Sequence, residues 1–163
     1  MNKKDTVVFD LDGTLLDTLE DLKNSVNYAM TQCGYPEHTL DEVRRYVGNG
    51  ILLLMQRAIP GGKDDPNFDK AFTLFKEHYG KHCNDTTKPY AGIMELLHTL
   101  KENNIKIAIV SNKADFAVKE LNAIYFKDLI PVAIGEKESE GIRKKPAPDT
   151  VIEALKQLGS TAE

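Results

Sequence analysis

The stretch Thr6-Val7-Val8-Phe9-Asp10-Leu11-Asp12-Gly13-Thr14-Leu15-Leu16-Asp17-Thr18 bears on both fold and chemistry. Its first half is β-branched and apolar and runs into Asp-Gly, which predicts a short strand ending in a tight loop. In extended backbone, residues two apart project to the same side, so Asp10 and Asp12 are expected to converge at the strand's carboxyl end. That edge of a parallel α/β sheet is where ligands bind. Two carboxylates held close repel, which favours a divalent cation and lets the surroundings give them different protonation roles. Alone, Asp-x-Asp-Gly is equally at home in an ordinary turn.

Beyond Asp17 the hydrophobic period changes. Leu19, Leu22, Val26, Ala29, Met30 and Cys33 fall three or four apart, with Thr18-x-x-Asp21 read as a capping box and Gly34 as a stop. Thr39-x-x-Glu42 opens a short helix carrying Leu40, Val43 and Val47, and Gly48-Asn49-Gly50 breaks it before the apolar segment 51–59. Asp65-Pro66 supply an N-cap and a first-turn proline for a helix with Phe68, Phe72, Phe75 and Tyr79 on one face, reaching about Cys83. Residues 18–84 therefore read as all helical. After Pro89 the pattern alternates. A helix with Ile93, Leu96, Leu97 and Leu100 turns at Asn103-Asn104 into a strand over 105–110. A helix over 113–123, a strand over 131–134 and a helix over 148–158 closed by Gly159 follow. The fold class expected is α/β, a partial Rossmann-like parallel sheet with an inserted all-α domain. The core takes residues 1–17 and 85–163, and the insert takes 18–84.

Composition narrows the function classes. The chain has 163 residues, 41% hydrophobic and 28% charged, with 25 acidic against 21 basic residues and a net charge of −4. No basic surface of the kind nucleic acid requires is expected. The apolar runs at 51–55 and 105–110 are far shorter than the ~20 residues that cross a bilayer, so no membrane partner is expected either. Residues 1–15 lack the apolar core of an export signal. Two cysteines, Cys33 and Cys83, fit unpaired thiols in a reducing compartment, and the expected location is the cytoplasm. His78, His82 and Cys83 crowd one helical stretch, but with no CxxC and no second ligand cluster their spacing alone does not make a metal site.

Two further segments fall at the ends of the later strands. Ser111 follows the second strand in Ile109-Val110-Ser111-Asn112-Lys113, and Lys145 lies beyond the third in Arg143-Lys144-Lys145-Pro146-Ala147-Pro148-Asp149. Singly, the serine reads as a helix N-cap and the lysines as a solvated basic run. Together with Asp-Leu-Asp-Gly-Thr-Leu-Leu-Asp-Thr, in this order and with a helical insert after the first, they resemble the haloacid dehalogenase-like hydrolase superfamily. Within it the likeness is greatest to the phosphoglycolate phosphatases, and the insert segments 44–50 and 55–58 resemble their helical cap.

The resemblance implies hydrolysis of a small phosphate monoester such as 2-phosphoglycolate through an aspartyl-phosphate intermediate. Asp10 would be the nucleophile, and Asp12 would protonate the departing alkoxide and later deprotonate water. Mg²⁺ would be held by the Asp10 carboxylate and the Asp12 backbone carbonyl. Gly13 and Thr14 would offer backbone amides to the phosphoryl oxygens, and Ser111, Asn112 and Lys145 would bind them. Lys145 is preferred to Lys144 because it directly precedes Pro-x-Pro. Asp12 disfavours carbon–halogen cleavage, which needs no proton for an alkoxide. The cap is expected to close about hinges at Asp17 and Thr86–Pro89, with Arg44, Arg45, Asn49 and Arg57 as candidate readers of a substrate carboxylate. The partner implied is a small phosphorylated metabolite. A fourth motif, Gly-Asp with a further Asp, is expected after the Lys-Pro helix, yet only 163 − 145 = 18 residues follow Lys145. The chain is thus expected to be a fragment, with weakened metal binding, low activity and self-association through an apolar sheet edge. A sugar-phosphate mutase and a non-catalytic phosphate-binding relic are the alternatives.

Overall fold

The computed structural model describes residues 5–162. The chain divides into two compact units, Met1–Leu16 with Pro89–Glu163, and Asp17–Lys88. The sequence reading puts the two crossings at 17/18 and 84/85.

The first unit contains β1 (Thr6–Phe9), and the first crossing runs through β2 (Leu16–Asp17). The second unit supplies α1 (Leu19–Gln32), α2 (Leu40–Tyr46), α3 (Ile51–Ala58) and α4 (Phe68–His82). The return runs through β3 (Lys88–Pro89), which pairs with β2. It is followed by α5 (Ile93–Glu102), β4 (Lys106–Ala114), α6 (Asp115–Tyr125), β5 (Val132–Glu136) and α7 (Asp149–Leu158).

Strands β1, β4 and β5 form a parallel sheet in that order, with β4 central. Strand alternation splits the core in two. Ile107 and Ile109 face a cluster with Leu11, Leu15, Leu97, Val118, Leu121 and Phe126. Ala108 and Val110 face Val132, Ile134 and Ala154 on the other side. A strand covered on both faces reads as a continuous apolar run, which is why 107–110 shows no polar alternation.

Strand β4 continues to Ala114, so α6 starts at Asp115 rather than at 113. The register explains the difference. Val110 pairs with Ile134 and Ala114 with Glu136, so the four-residue step on β4 spans two residues on β5. Ser111, Asn112 and Lys113 form a bulge that bends the strand. Gly135 permits it, because a Cβ there would lie 2.4 Å from the Asp115 Cα and 2.6 Å from the Lys113 carbonyl oxygen. Its N–H donates to Asp115 Oδ1 at 2.9 Å.

In the second unit α1 packs on α4. The predicted capping box at Thr39 is present, with Thr39 N and Oγ1 and Glu42 joined reciprocally. The one predicted at Thr18 is not, for Thr18 makes no side-chain cap bond. The Asp21 carboxylate instead accepts from the N–H and hydroxyl of Thr86 and of Thr87, at 2.7–3.0 Å. A four-donor partner 65 residues away outcompetes a local cap. Thr86 and Thr87, expected within a hinge, are tied down by the same bonds. Helix α4 starts at Phe68 behind Asn67, and Asp65 accepts from the Tyr35 hydroxyl and the Asn67 N–H rather than capping the helix directly. Cys33 and Cys83 are not disulfide-bonded.

Burial alone would raise the Asp21 pKa, but the bonds from Thr86 and Thr87 together hold it below the ordinary carboxylate value. A depressed folded value means that this stabilisation is full above the ordinary carboxylate range and is lost as pH falls through the folded value. Replacing Asp21 by Ala strands several donors, and urea denaturation should show a loss of about 2–4 kcal/mol at neutral pH. The loss should shrink in acid, and an effect under about 0.5 kcal/mol at neutral pH would refute this role for Asp21.

Candidate active site

The loop after β1 is built on one carbonyl. Thr14, Leu15 and Leu16 N–H groups converge on the Leu11 oxygen at 3.0–3.1 Å, and the Gly13 N–H donates to the Leu16 oxygen at 2.9 Å. Gly13 sits at φ +75°, a conformation that favours glycine. Fully buried Leu11 and Leu15 anchor the turn in the core. The Gly13 and Thr14 N–H groups, expected to face a phosphoryl group, hydrogen-bond within the loop in this structure. Asp10 Oδ1 accepts from the Leu11 N–H at 2.8 Å.

Each carboxylate then meets its own ammonium. Lys145 Nζ lies 3.0 Å from Asp10 Oδ1 and donates to the Val110 carbonyl at 2.9 Å, so it joins the ends of β1 and β4. Lys113 Nζ lies 2.9 Å from Asp12 Oδ1. The two pairs differ in exposure. The Lys113 and Asp12 side chains are 2% and 16% exposed, against 29% and 44% for Lys145 and Asp10. Solvent therefore screens the Asp10 pair more, and Asp12 is the more firmly held.

Asn112 supports this arrangement without facing outward. Its amide donates to the Lys145 carbonyl at 3.1 Å and accepts from the Lys145 N–H at 2.9 Å, clamping the backbone from which the ammonium extends. Ser111 is buried, and its Oγ accepts the Lys113 N–H at 3.2 Å, which leaves the hydroxyl proton to donate elsewhere. Lys144 pairs with Glu138 at 2.9 Å, apart from both aspartates. In the second unit, Arg57 donates to the Tyr46 carbonyl and Asn49 Oδ1, and Arg44 pairs with Asp41.

Within Val-Ser-Asn-Lys, residue type and position alone assign Lys113 no role, yet its ammonium is the partner of Asp12. As a first helical residue it would point to solvent; as the last residue of the bulge it is aimed at Asp12. The only signal in the sequence is the Gly135 that allows the close approach.

Residues 7–163 match the family described as haloacid dehalogenase-like hydrolase. The chain belongs to this family. A phosphoglycolate phosphatase of Thiobacillus denitrificans is 32% identical over 158 residues, covering 94% of this chain and 69% of that protein. One of Aquifex aeolicus is 32% identical over 161 residues, covering 96% and 71%. A crystal structure of a predicted phosphoglycolate phosphatase from Haemophilus somnus superposes with a TM-score of 0.86 at 27% identity, covering 98% of this chain and 74% of that one. These relatives bear out the expected enzyme class, a phosphoric monoester hydrolase. Among the described residues no helix is long and apolar enough to cross a membrane.

The haloacid dehalogenase-like site predicts energetic coupling between Asp12 and Lys113. In a double-mutant cycle of Asp12→Asn and Lys113→Met, chemical denaturation should give a coupling of about 1–3 kcal/mol. A value below about 0.5 kcal/mol would mean the pair contributes nothing specific.

Proposed function

We propose that this chain hydrolyses a small phosphate monoester, 2-phosphoglycolate foremost, through a phosphorylated Asp10. The observation that carries the reading is the pairing of Asp10 with Lys145 beside Asp12 with Lys113, at the carboxyl edge of a parallel sheet. The names of the relatives support the substrate. In the first step an Asp10 carboxylate oxygen attacks phosphorus and the ester P–O bond breaks, while Asp12 gives its proton to the leaving alkoxide. In the second, Asp12 takes a proton from water as that water attacks the aspartyl phosphate, releasing inorganic phosphate and restoring Asp10.

Lys145 is partly exposed and bound to the nucleophile's own carboxylate, so it lies where phosphoryl charge accumulates. The Ser111 hydroxyl proton is a second donor on the same edge. With Asp12 carrying the proton that it gives the alkoxide, the Asp10 carboxylate and the two ammoniums leave the site one charge positive, so a phosphate ester enters without net repulsion.

The donor set also suits Mg²⁺, which takes oxygen ligands and is commonly held by one or two carboxylates with water and substrate phosphate. Asp10 and the Asp12 backbone carbonyl would hold it, and when bound it would neutralise phosphoryl charge. Among the described residues no group of three or more His, Cys, Asp or Glu is placed to hold a metal ion. With the Asp10 carboxylate and one backbone carbonyl as its protein ligands, the ion would take the rest of its coordination from water and substrate.

The reading is tested by phosphate release from a panel of esters at graded Mg²⁺ concentrations. 2-Phosphoglycolate should lead the panel, chelation of Mg²⁺ should stop turnover, and Asp10→Asn should leave none. Lys145→Ala should lower kcat about 10²–10³-fold, as expected for loss of one charge-stabilising donor. Undiminished turnover by Asp10→Asn would overturn the mechanism, and indifference to the ester supplied would overturn the substrate.

A further inference from the structure

The two lysines of the candidate site serve different carboxylates from different depths. Lys145 lies 3.0 Å from Asp10, the proposed nucleophile, and its side chain is 29% exposed. Lys113 lies 2.9 Å from Oδ1 of Asp12, the proposed proton donor, and its side chain is 2% exposed. The backbone of Asp12 is set by its own loop, where it bridges Leu16 and the next N–H, that of Gly13, donates to the Leu16 oxygen at 2.9 Å. Its side chain is set by a residue 101 positions away. Lys113 is itself tightly placed. Its N–H donates to Ser111 Oγ at 3.2 Å, and its carbonyl oxygen passes so near Gly135 that a Cβ there would lie 2.6 Å from it. A buried ammonium is costly without a matching partner, so burial of the lysine holds it to Asp12.

On the phosphatase reading given above, we infer that Lys113 is the positioning residue for proton transfer to the leaving group, and that it fits the site to esters of alkyl alcohols, whose alkoxides leave poorly unless protonated. An ammonium donates only, so the Asp12 oxygen that accepts from it, Oδ1, plays the carbonyl part and the transferable proton belongs on Oδ2. As the P–O bond to the alcohol breaks, that proton passes from Oδ2 to the alkoxide oxygen. The O–H bonding pair stays on Asp12, and Lys113 keeps all three of its protons. The carboxylate charge that develops on Asp12 appears against a fixed, little-screened ammonium, so no group must reorient as the proton moves. An aryl ester such as 4-nitrophenyl phosphate departs as a stable phenolate and gains little from the same proton. Lys113 thus acts on the alcohol side of the ester and Lys145 on the phosphoryl side.

The test compares kcat/KM for 2-phosphoglycolate and for 4-nitrophenyl phosphate, using the whole chain with Mg²⁺, because kcat/KM covers the step in which the leaving group departs. Lys113→Met keeps the stem and removes the charge. It should lower the alkyl ester's value far more than the aryl ester's, so that the alkyl-to-aryl ratio falls about 10–100-fold with circular dichroism unchanged. In kcat both esters should lose, since Asp12 deprotonates the same water in the second step. Lys145→Ala acts on a phosphoryl group common to both esters and should keep the ratio within about 3-fold of the wild-type one. Lys113→Gln, whose amide can still donate to Asp12, should give a ratio between those of Lys113→Met and the wild type, and it carries the comparison if Lys113→Met does not fold. A wild-type ratio in the folded Lys113 variants, or a ratio that falls as far in Lys145→Ala, would overturn the positioning role while leaving the phosphatase reading intact. Absence of phosphate release from both esters with the wild-type chain would overturn that reading and this role together.

Discussion

Two carboxylates two residues apart at the mouth of a strand cannot both stay ionised at low cost unless positive charge is brought to them, and here both cations arrive by way of β4. Lys113 comes directly, as part of the strand's bulged end. Lys145 comes indirectly, through a backbone clamped by Asn112 and an ammonium bonded to the Val110 carbonyl. Charge compensation at Asp10 and Asp12 thus fixes the relative placement of the β1 loop, the β4 end and the segment before α7. The pairs are unequal. An ammonium 2% exposed against a carboxylate 16% exposed is screened little, so Asp12 is fixed in position. Asp10 keeps a partner that water reaches and that can turn toward an incoming anion at smaller cost.

The core explains why β4 can carry this burden. Its residues are buried on both faces, by α5 and α6 on one side and α7 on the other. A strand gripped in this way holds its register strongly, because a one-residue slip would exchange the two faces. The bulge then alters only its last residues. Gly135 makes room for the displaced backbone, and the Asp115 carboxylate accepts the Gly135 N–H, joining the start of α6 to β5 at the point where the strand departs from regular pairing. The site is held by packing beneath it and by hydrogen bonds around it, and each serves the other.

What could be read in the sequence follows the range of the forces involved. The buried strand 105–110, the Thr39 capping box and the Gly159 stop depend on neighbours a few residues away, and each appears in the structure. Asp10, Asp12 and Lys145 could be picked out because residue type and strand-end position limit what they can do. Lys113 was harder. Lysine and alanine favour helices, so local preference starts α6 early, and only pairing of Ala114 with Glu136 keeps the chain extended. Thr18 and Asp21 present a capping pattern, but the acid's actual donors lie at Thr86 and Thr87, a distance along the chain that no window of local reading spans. The occupied Gly13 and Thr14 amides belong to the same class, since a turn's internal bonds depend on backbone angles that residue identity leaves open.

The helical unit shows the same economy. Asp21 and Ser25 are four residues apart on α1, so they form a buried polar stripe on one face of an otherwise apolar contact. Asp21 fixes the chain just beyond α4, and Ser25 reaches His78 within it. A buried polar stripe is costly unless each group is matched, and here the match falls on one short stretch, from His78 to Thr87. Orientation is thereby imposed on imidazoles that would otherwise rotate freely at a helix end. The contacts that settle the end of α4 are the same ones that hold the returning chain at Thr86 and Thr87 against α1.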